Sequence, residues 1–294
     1  MCLRKMKILK KTLLVLVLCS LSLLAISCND KKDISERREM TITEHVDSKY
    51  VQPEDLDFTY NKTGNNEYLE VCYIGPNREE INIAPEYGGI KVLDYIDANA
   101  YPPSNYVTKK LILPDTIENI DGYMCNRFLA LEELVLPKNL KYIGPYTLRI
   151  GTIKSISISI ENGYYKVLNN KLIDIKNNRL IKAFNINDDE ITISGCKQIG
   201  DMAFYKTNLK SIKFDEGIEE ISGDSISYND SLESITLPST LKKLVVSFNH
   251  ERIPDDYRTY AIFNNNSNLK TIYNYSNVEL DLSDKGIEVI KMNK

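Results

Sequence analysis

Hydrophobic residues recur in one fixed order along the middle of the chain. One pass reads Leu131, Leu134, Leu136, Pro137, Leu140, Ile143. A second reads Leu209, Ile212, Phe214, Asp215, Ile218, Ile221, and a third Leu232, Ile235, Leu237, Pro238, Leu241, Leu244. Leu209 and Leu232 stand 23 residues apart, and Thr108, 23 before Leu131, opens Leu111, Leu113, Pro114, Ile117 and Ile120. The shared template is L-x-x-I-x-L-P-x-x-L-x-x-I, and a period of this size means stacked coils. Within it I-x-L alternates, so two apolar side chains point inward from a short strand and the residue between them faces solvent. Proline then fixes φ and removes a donor, turning the chain out of the sheet. The three-residue spacing of L-x-x-I suits a tight, turn-like back wall.

A second apolar column closes each coil: Met124-Cys125, Thr147-Leu148 and Ser225-Ile226, with Ala100-Tyr101, Ala203-Phe204 and Ile262-Phe263 in matching places. No single coil can bury these groups; stacked coils can, and their strands pair into a parallel sheet. The array also departs from its period. Ile81-x-Ile83 opens a degenerate first coil with an insertion around Tyr87-Gly88-Gly89, and Ile153 to Ile158 keeps the strand without the proline. Between Tyr164 and Phe184, apolar runs are split by Asn169-Asn170 and Asn177-Asn178. Asparagine tolerates positive φ, so this stretch predicts a three-stranded meander. A second insertion runs from about Val245 to Thr259, and alternating residues from Val278 to Ile290 predict a cap over the last coil.

The template, an Ala-Phe-like pair and a following L-K-x-I resemble the BspA-like (Treponema-type) leucine-rich repeat family. Ile199 to Phe204, continuing through Leu209-Lys210-Ser211-Ile212, carries the resemblance best, which spans roughly residues 79–277. It implies an α/β-type repeat solenoid that is β-rich, with short parallel strands on one face, inserted β-hairpins and an extracellular bacterial setting.

The first residues read as an address. Arg4, Lys5, Lys7, Lys10 and Lys11 precede an uncharged stretch from Thr12 to Ser27, whose apolar heart, Leu13–Ile26, is too short for a permanent membrane span. Met6 offers an alternative start to Met1. The segment closes Leu24-Ala25-Ile26-Ser27-Cys28, resembling the lipobox of bacterial lipoproteins, with Ala25 where leucine is commonest. That resemblance implies cleavage before Cys28, lipidation of its thiol and an outer-membrane or cell-surface address. Asn29 to Asp33 resembles the charged export signal of surface lipoproteins in Bacteroides-like bacteria. The expected organisation is therefore a signal peptide over 1–27, Cys28 and a polar tether over 28–61, and N-terminal strands with the degenerate coil over 62–101. Repeats follow over 102–277, with insertions at about 162–187 and 245–259, and a cap over 278–294.

Composition sharpens the address more than the chemistry. The chain of 294 residues has 37 basic and 41 acidic side chains. Cleavage after residue 27 removes five basic and no acidic residues, leaving 32 against 41, a net charge of −9. Such a surface argues against nucleic acid, and leaves the lipid as the means of holding a membrane. Of six cysteines, Cys28, Cys72, Cys125 and Cys196 remain after cleavage, and Cys125 falls in a buried repeat column. The histidines are His45 and His250, and no catalytic, phosphate-cradling or metal-binding motif is present. His250-Glu251 with Asp255-Asp256 reads as a solvated loop rather than a hydrolytic cluster. No cofactor, metal or catalytic residue is expected, and the chain is expected not to be an enzyme.

Binding is the natural use of such a surface. The residues between the inward pairs line the sheet face: Lys110, Ile112, Glu133, Val135, Ser155, Ser157, Ser211, Lys213, Ser234, Thr236, Thr271 and Tyr273. They suit a broad protein or glycan partner, and equally the ordinary solvated face of a soluble sheet. The expected function is adhesion or ligand binding at the cell surface; the alternative is glycan capture for an outer-membrane uptake system.

Overall fold

The computed structural model describes residues 36–97, 103–222, 224–245, 263 and 265–293. The expected signal peptide, Cys28, Ala100-Tyr101, Ile262 and nearly all of the second insertion, with His250 and its acidic neighbours, lie outside them.

The folded part begins earlier than the polar composition of residues 28–61 predicts. Strands β1 (Glu36–Met40), β2 (Leu56–Thr63) and β3 (Asn66–Tyr73) form an antiparallel meander. Leu56, Phe58 and Tyr60 are buried while Asp57 faces out, a period of two sitting inside the expected tether. Val51 and Ile42 are buried with them, so residues 36–61 belong to the folded part. β4 (Glu80–Asn82) and the hairpin β5 (Glu86–Tyr87) and β6 (Ile90–Asp97) follow, β6 pairing parallel to β3.

From here each coil lays one strand on a front ladder and one on a back ladder. The first pairs are β7 (Lys110–Ile112) with β8 (Asn119–Gly122), then β9 (Glu133–Val135) with β10 (Tyr142–Ile143), then β11 (Ser155–Ser157) in front. The front order is β11-β9-β7-β4, and β6, β8 and β10 stack behind. Leu111, Leu134 and Ile156 align in register and are buried, as I-x-L requires. The back wall is thus a second parallel sheet, where the spacing alone predicts only turns. The reason is the backbone: chain returning beside its neighbour must pair its amides, as Lys141 N–H does by donating to Glu118 O at 2.7 Å.

Proline sets the corner between the ladders. Pro114, Pro137 and Pro238 each accept at the carbonyl from the amide three residues on, at 3.0, 3.3 and 3.2 Å. The fixed φ of proline turns the chain out of the front strand into this tight turn. Neighbouring coils are stitched at the same period: Lys138 N–H donates to Asp115 Oδ1 at 2.8 Å, and Gly217 N–H to Thr240 Oγ1 at 2.9 Å.

The meander disturbs this order. β12 (Tyr165–Leu168), β13 (Lys171–Asp174) and β14 (Arg179–Ala183) pair antiparallel, with Asn169, Asn170 and Asn178 at positive φ. β14 then becomes the parallel neighbour of the next coil's back strand. That second series runs β15 (Glu190–Ile193) and β16 (Gln198–Ile199), β17 (Ser211–Phe214) and β18 (Glu220–Ser222), β19 (Ser234–Leu237) and β20 (Lys243–Val245). β21 (Thr271–Asn274) and β22 (Glu288–Lys291) complete it in front. The meander lies wholly in the back sheet, adding two strands there with no front counterpart. Both ladders break at this coil: β11 does not pair with β15, nor β10 with β12.

Side chains bridge the break. Asn162 Nδ2 donates to Lys138 O at 2.7 Å and Leu140 O at 2.9 Å, while its Oδ1 accepts from the amides of Tyr164 and Tyr165. Ile143 N–H donates to Tyr165 Oη at 3.0 Å. The buried apolar residues accordingly form two large clusters, one reaching from Ile42 to Phe184 and one from Leu180 to Ile287. Among the described residues there is no α-helix; short 3-10 turns stand at Pro53–Asp55, Met124–Arg127, Phe263 and Ser283–Lys285, so the helical part of the expected class is taken by turns and the second sheet. No helix there is long and apolar enough to cross a membrane.

Candidate functional site: the front ladders

All of the sheet-face residues predicted from the sequence stand on front strands, but the break at β11 divides them. Lys110, Glu133 and Ser155 align in the first ladder, with Ile112, Val135 and Ser157 two residues on. Ser211, Ser234 and Thr271 align in the second, and beside them Lys213, Thr236 and Tyr273. Neighbouring rungs stand ~4.8 Å apart. The expectation of one broad surface is replaced by two narrow ones.

The two ladders differ in character. Lys110 Nζ lies 3.4 Å from Glu80 Oε2 on the adjacent strand, so its charge is already shared across the ladder. The second ladder carries a stripe of hydroxyls, Ser211, Ser234 and Thr271, next to Lys213 and Tyr273. Lys213 is exposed, 3.6 Å from Asp215, and Tyr273 is 36% exposed, an aromatic ring standing on a flat polar sheet. Beneath the stripe Ile212, Ile235 and Ile272 are buried and in register, which holds the face rigid.

Chemistry for bond-breaking is sparse among the described residues. Burial pushes the thiols of Cys72 and Cys125 up to about 12 and that of Cys196 to about 11, so little thiolate exists at neutral pH. All three are free. His45 Nδ1 lies 3.1 Å from Gln52 Oε1, an amide rather than a carboxylate. No group of three or more metal-ligating side chains converges among the described residues.

Repetition of the coil, rather than any one residue, decides the family. Residues 91–180 and 174–281 match the BspA type leucine rich repeat region in six copies. The chain belongs to the BspA type leucine rich repeat family. No curated protein matches the chain significantly. Among solved structures, a leucine-rich repeat protein from Eubacterium ventriosum is 16% identical, with 75% of this chain and 70% of that chain covered and a TM-score of 0.43. The pneumococcal vaccine antigen PcpA is 14% identical over 81% of this chain and 89% of its own, with a TM-score of 0.38. A leucine rich repeat protein of T. pallidum is 15% identical over 78% and 71%, with a TM-score of 0.30. In this BspA type chain, sequence reasoning passed over two buried cations, Arg127 and the more deeply buried Lys182. The signal was available: Lys182 stands two residues after the core residue Leu180, and a period of two turns both to the same side.

Proposed function

We propose that this chain is a non-enzymatic binding protein of the bacterial cell surface, held to the membrane by lipid on Cys28. Its second front ladder is the face that meets a protein or glycan. The observation that carries this reading is the registered stripe of Ser211, Ser234 and Thr271 beside Lys213, Thr236 and Tyr273, rigidly backed by buried isoleucines. Flat, hydroxyl-rich and preorganised, such a surface loses little conformational freedom on binding. Tyr273 supplies the large ring that dominates interface energetics.

An array of glycans and matrix proteins, probed with the detergent-solubilised chain, tests it. Binding that falls at least tenfold in Tyr273→Ala and Lys213→Glu supports the front face. Glycan hits alone would point to capture for an uptake system, and protein hits to adhesion. Binding unchanged in both variants would remove this face from the function. The anchor is tested separately: Cys28→Ala that still fractionates wholly with membranes would refute it.

A further inference from the structure

The corner where the two ladders break gathers three basic side chains around one ring. Arg149 Cζ lies 5.2 Å from the Tyr205 ring centroid, Lys206 Nζ 5.5 Å and Lys182 Nζ 5.9 Å. The three come from separate segments, the corner after β10, strand β14 and the corner after β16, which meet because the meander leaves the front ladder there. Gly151 makes the approach possible: a Cβ on it would stand 2.6 Å from Lys206 Cβ.

These cations are graded in exposure, Lys182 at 1%, Arg149 half-buried and Lys206 exposed. None forms an ion pair among the described residues. Lys182 Nζ donates once, to Met202 O at 3.0 Å, and the buried Arg149 Nε has no acceptor. Carboxylates of the same corner are engaged elsewhere. Asp224 accepts from Tyr146 Oη and Ser227 Oγ, both at 3.2 Å, and Asp201 pairs with Arg179 at 3.1 Å. An anion brought by a ligand would give Arg149 and Lys206 the charged partner that the described residues do not supply.

Space for a ligand adjoins the cluster. A cleft of about 540 Å³ reaches Arg149, Tyr205 and Lys206, and a second of about 240 Å³ reaches Lys182, Tyr205 and Lys206. The larger is of a size that takes small ligands. Ser104 and Thr152 line the first, and Thr207 and Asn208 the second; the hydroxyls of Thr152 and Thr207 donate to Leu131 O and Asn229 Oδ1, both at 2.7 Å, and keep lone pairs to accept from a ligand. The exposed edge of Tyr228, 5.3 Å from Tyr205 between ring centroids, adds an apolar patch beside them. Basic side chains, hydroxyl groups and an aromatic ring lining the same clefts suit a sugar carrying an acid group.

We propose that this corner binds the anionic residue of an acidic saccharide, its carboxylate or sulfate taken by Arg149 and Lys206 above the buried Lys182. The site stands apart from the front ladder and does not depend on it. Binding of tetragalacturonate and of a sulfated disaccharide to the full chain in detergent, by calorimetry, is the test, with the methyl ester of the first and the desulfated form of the second as neutral controls. Expected is saturable binding of at least one acidic probe, at least tenfold weaker for its neutral control and for Lys206→Glu. Lys206 is exposed, so that variant leaves the fold intact, and Arg149→Gln provides a second at the half-buried position. Tyr273→Ala is expected to bind as the unmodified chain does, which separates this site from the front face. Absence of binding to both acidic probes, equal binding of the neutral controls, equal affinity for inorganic sulfate, or unchanged affinity in both cation variants would each overturn the proposal.

Discussion

Lys182→Met offers the sharpest physical test of the corner. Lys182 is 1% exposed on β14, and burial pulls its ammonium down from 10.5 to about 7, with the Cys125 thiol the only other titratable group acting on it. Because the folded-state value lies below the unfolded one, the unfolded chain holds a proton between about pH 7 and 10.5 that the folded chain lacks. Stability therefore rises with pH through that window, by ~1.4 kcal/mol per unit at its steepest, and levels off above it. Below about pH 7 both states are protonated and the penalty stays at its full size, on the order of 4–5 kcal/mol for a shift of this extent. Methionine removes the charge but leaves the Met202 carbonyl without its donor, at a cost of about 1–3 kcal/mol. The variant should accordingly be about 1–3 kcal/mol more stable than the unmodified chain at pH 7 and less stable at pH 10. Urea unfolding followed by far-ultraviolet circular dichroism at pH 7, 8, 9 and 10 measures this, since tyrosine emission is compromised where phenols ionise. The other groups titrate in both proteins, so the difference between the curves isolates Lys182. Parallel stability curves over pH 7–10 would refute the reasoning.

Other expectations concern the frame. Gly122 sits at φ +75° with a would-be Cβ 2.0 Å from the Asp97 carbonyl oxygen, so Gly122→Ala should cost about 3 kcal/mol or more, read as a lower urea midpoint. Asn162→Ala removes four hydrogen bonds at the break in the ladders and should cost about 2–4 kcal/mol; a loss under about 0.5 kcal/mol would mean that Tyr165 bridges the break unaided. Cys125 and Cys196, both buried with thiols pushed up, should resist a soluble disulfide reagent in the native chain and react fully in urea. Immediate native reaction at either would contradict the burial described.

Much of this fold is legible because a repeat states its core several times over. Ile212, Ile235 and Ile272 are inward in register for the reason they occupy one place in the template, and the asparagine pairs mark turns that β12 to β14 indeed make. Strands β1 and β2 were hidden by composition. Leu56, Phe58 and Tyr60 alternate, but the charged residues before them mask a pattern only three apolar residues long. The breaking of the ladders was hidden differently. Where a meander lies is a local property, whereas which sheet absorbs its extra strands depends on what each strand pairs with. The two front surfaces and the corner cluster both follow from that pairing. Arg149, Lys182 and Lys206 sit in three unrelated contexts, and only the fold brings them to one ring.

The interruption also bears on how the molecule comes apart. In an unbroken stack, each coil is held by its neighbours and disorder spreads from the ends as along a row of coupled links. Here one link is made of side chains, Asn162 and Tyr165 among them, in place of continuous backbone pairing on either side. Melting that begins at β22 should therefore pause near β14, and melting from β1 near β11, giving two blocks of amides with separate exchange rates. A coil added to either block by duplication would extend its own ladder and leave the register of the other untouched.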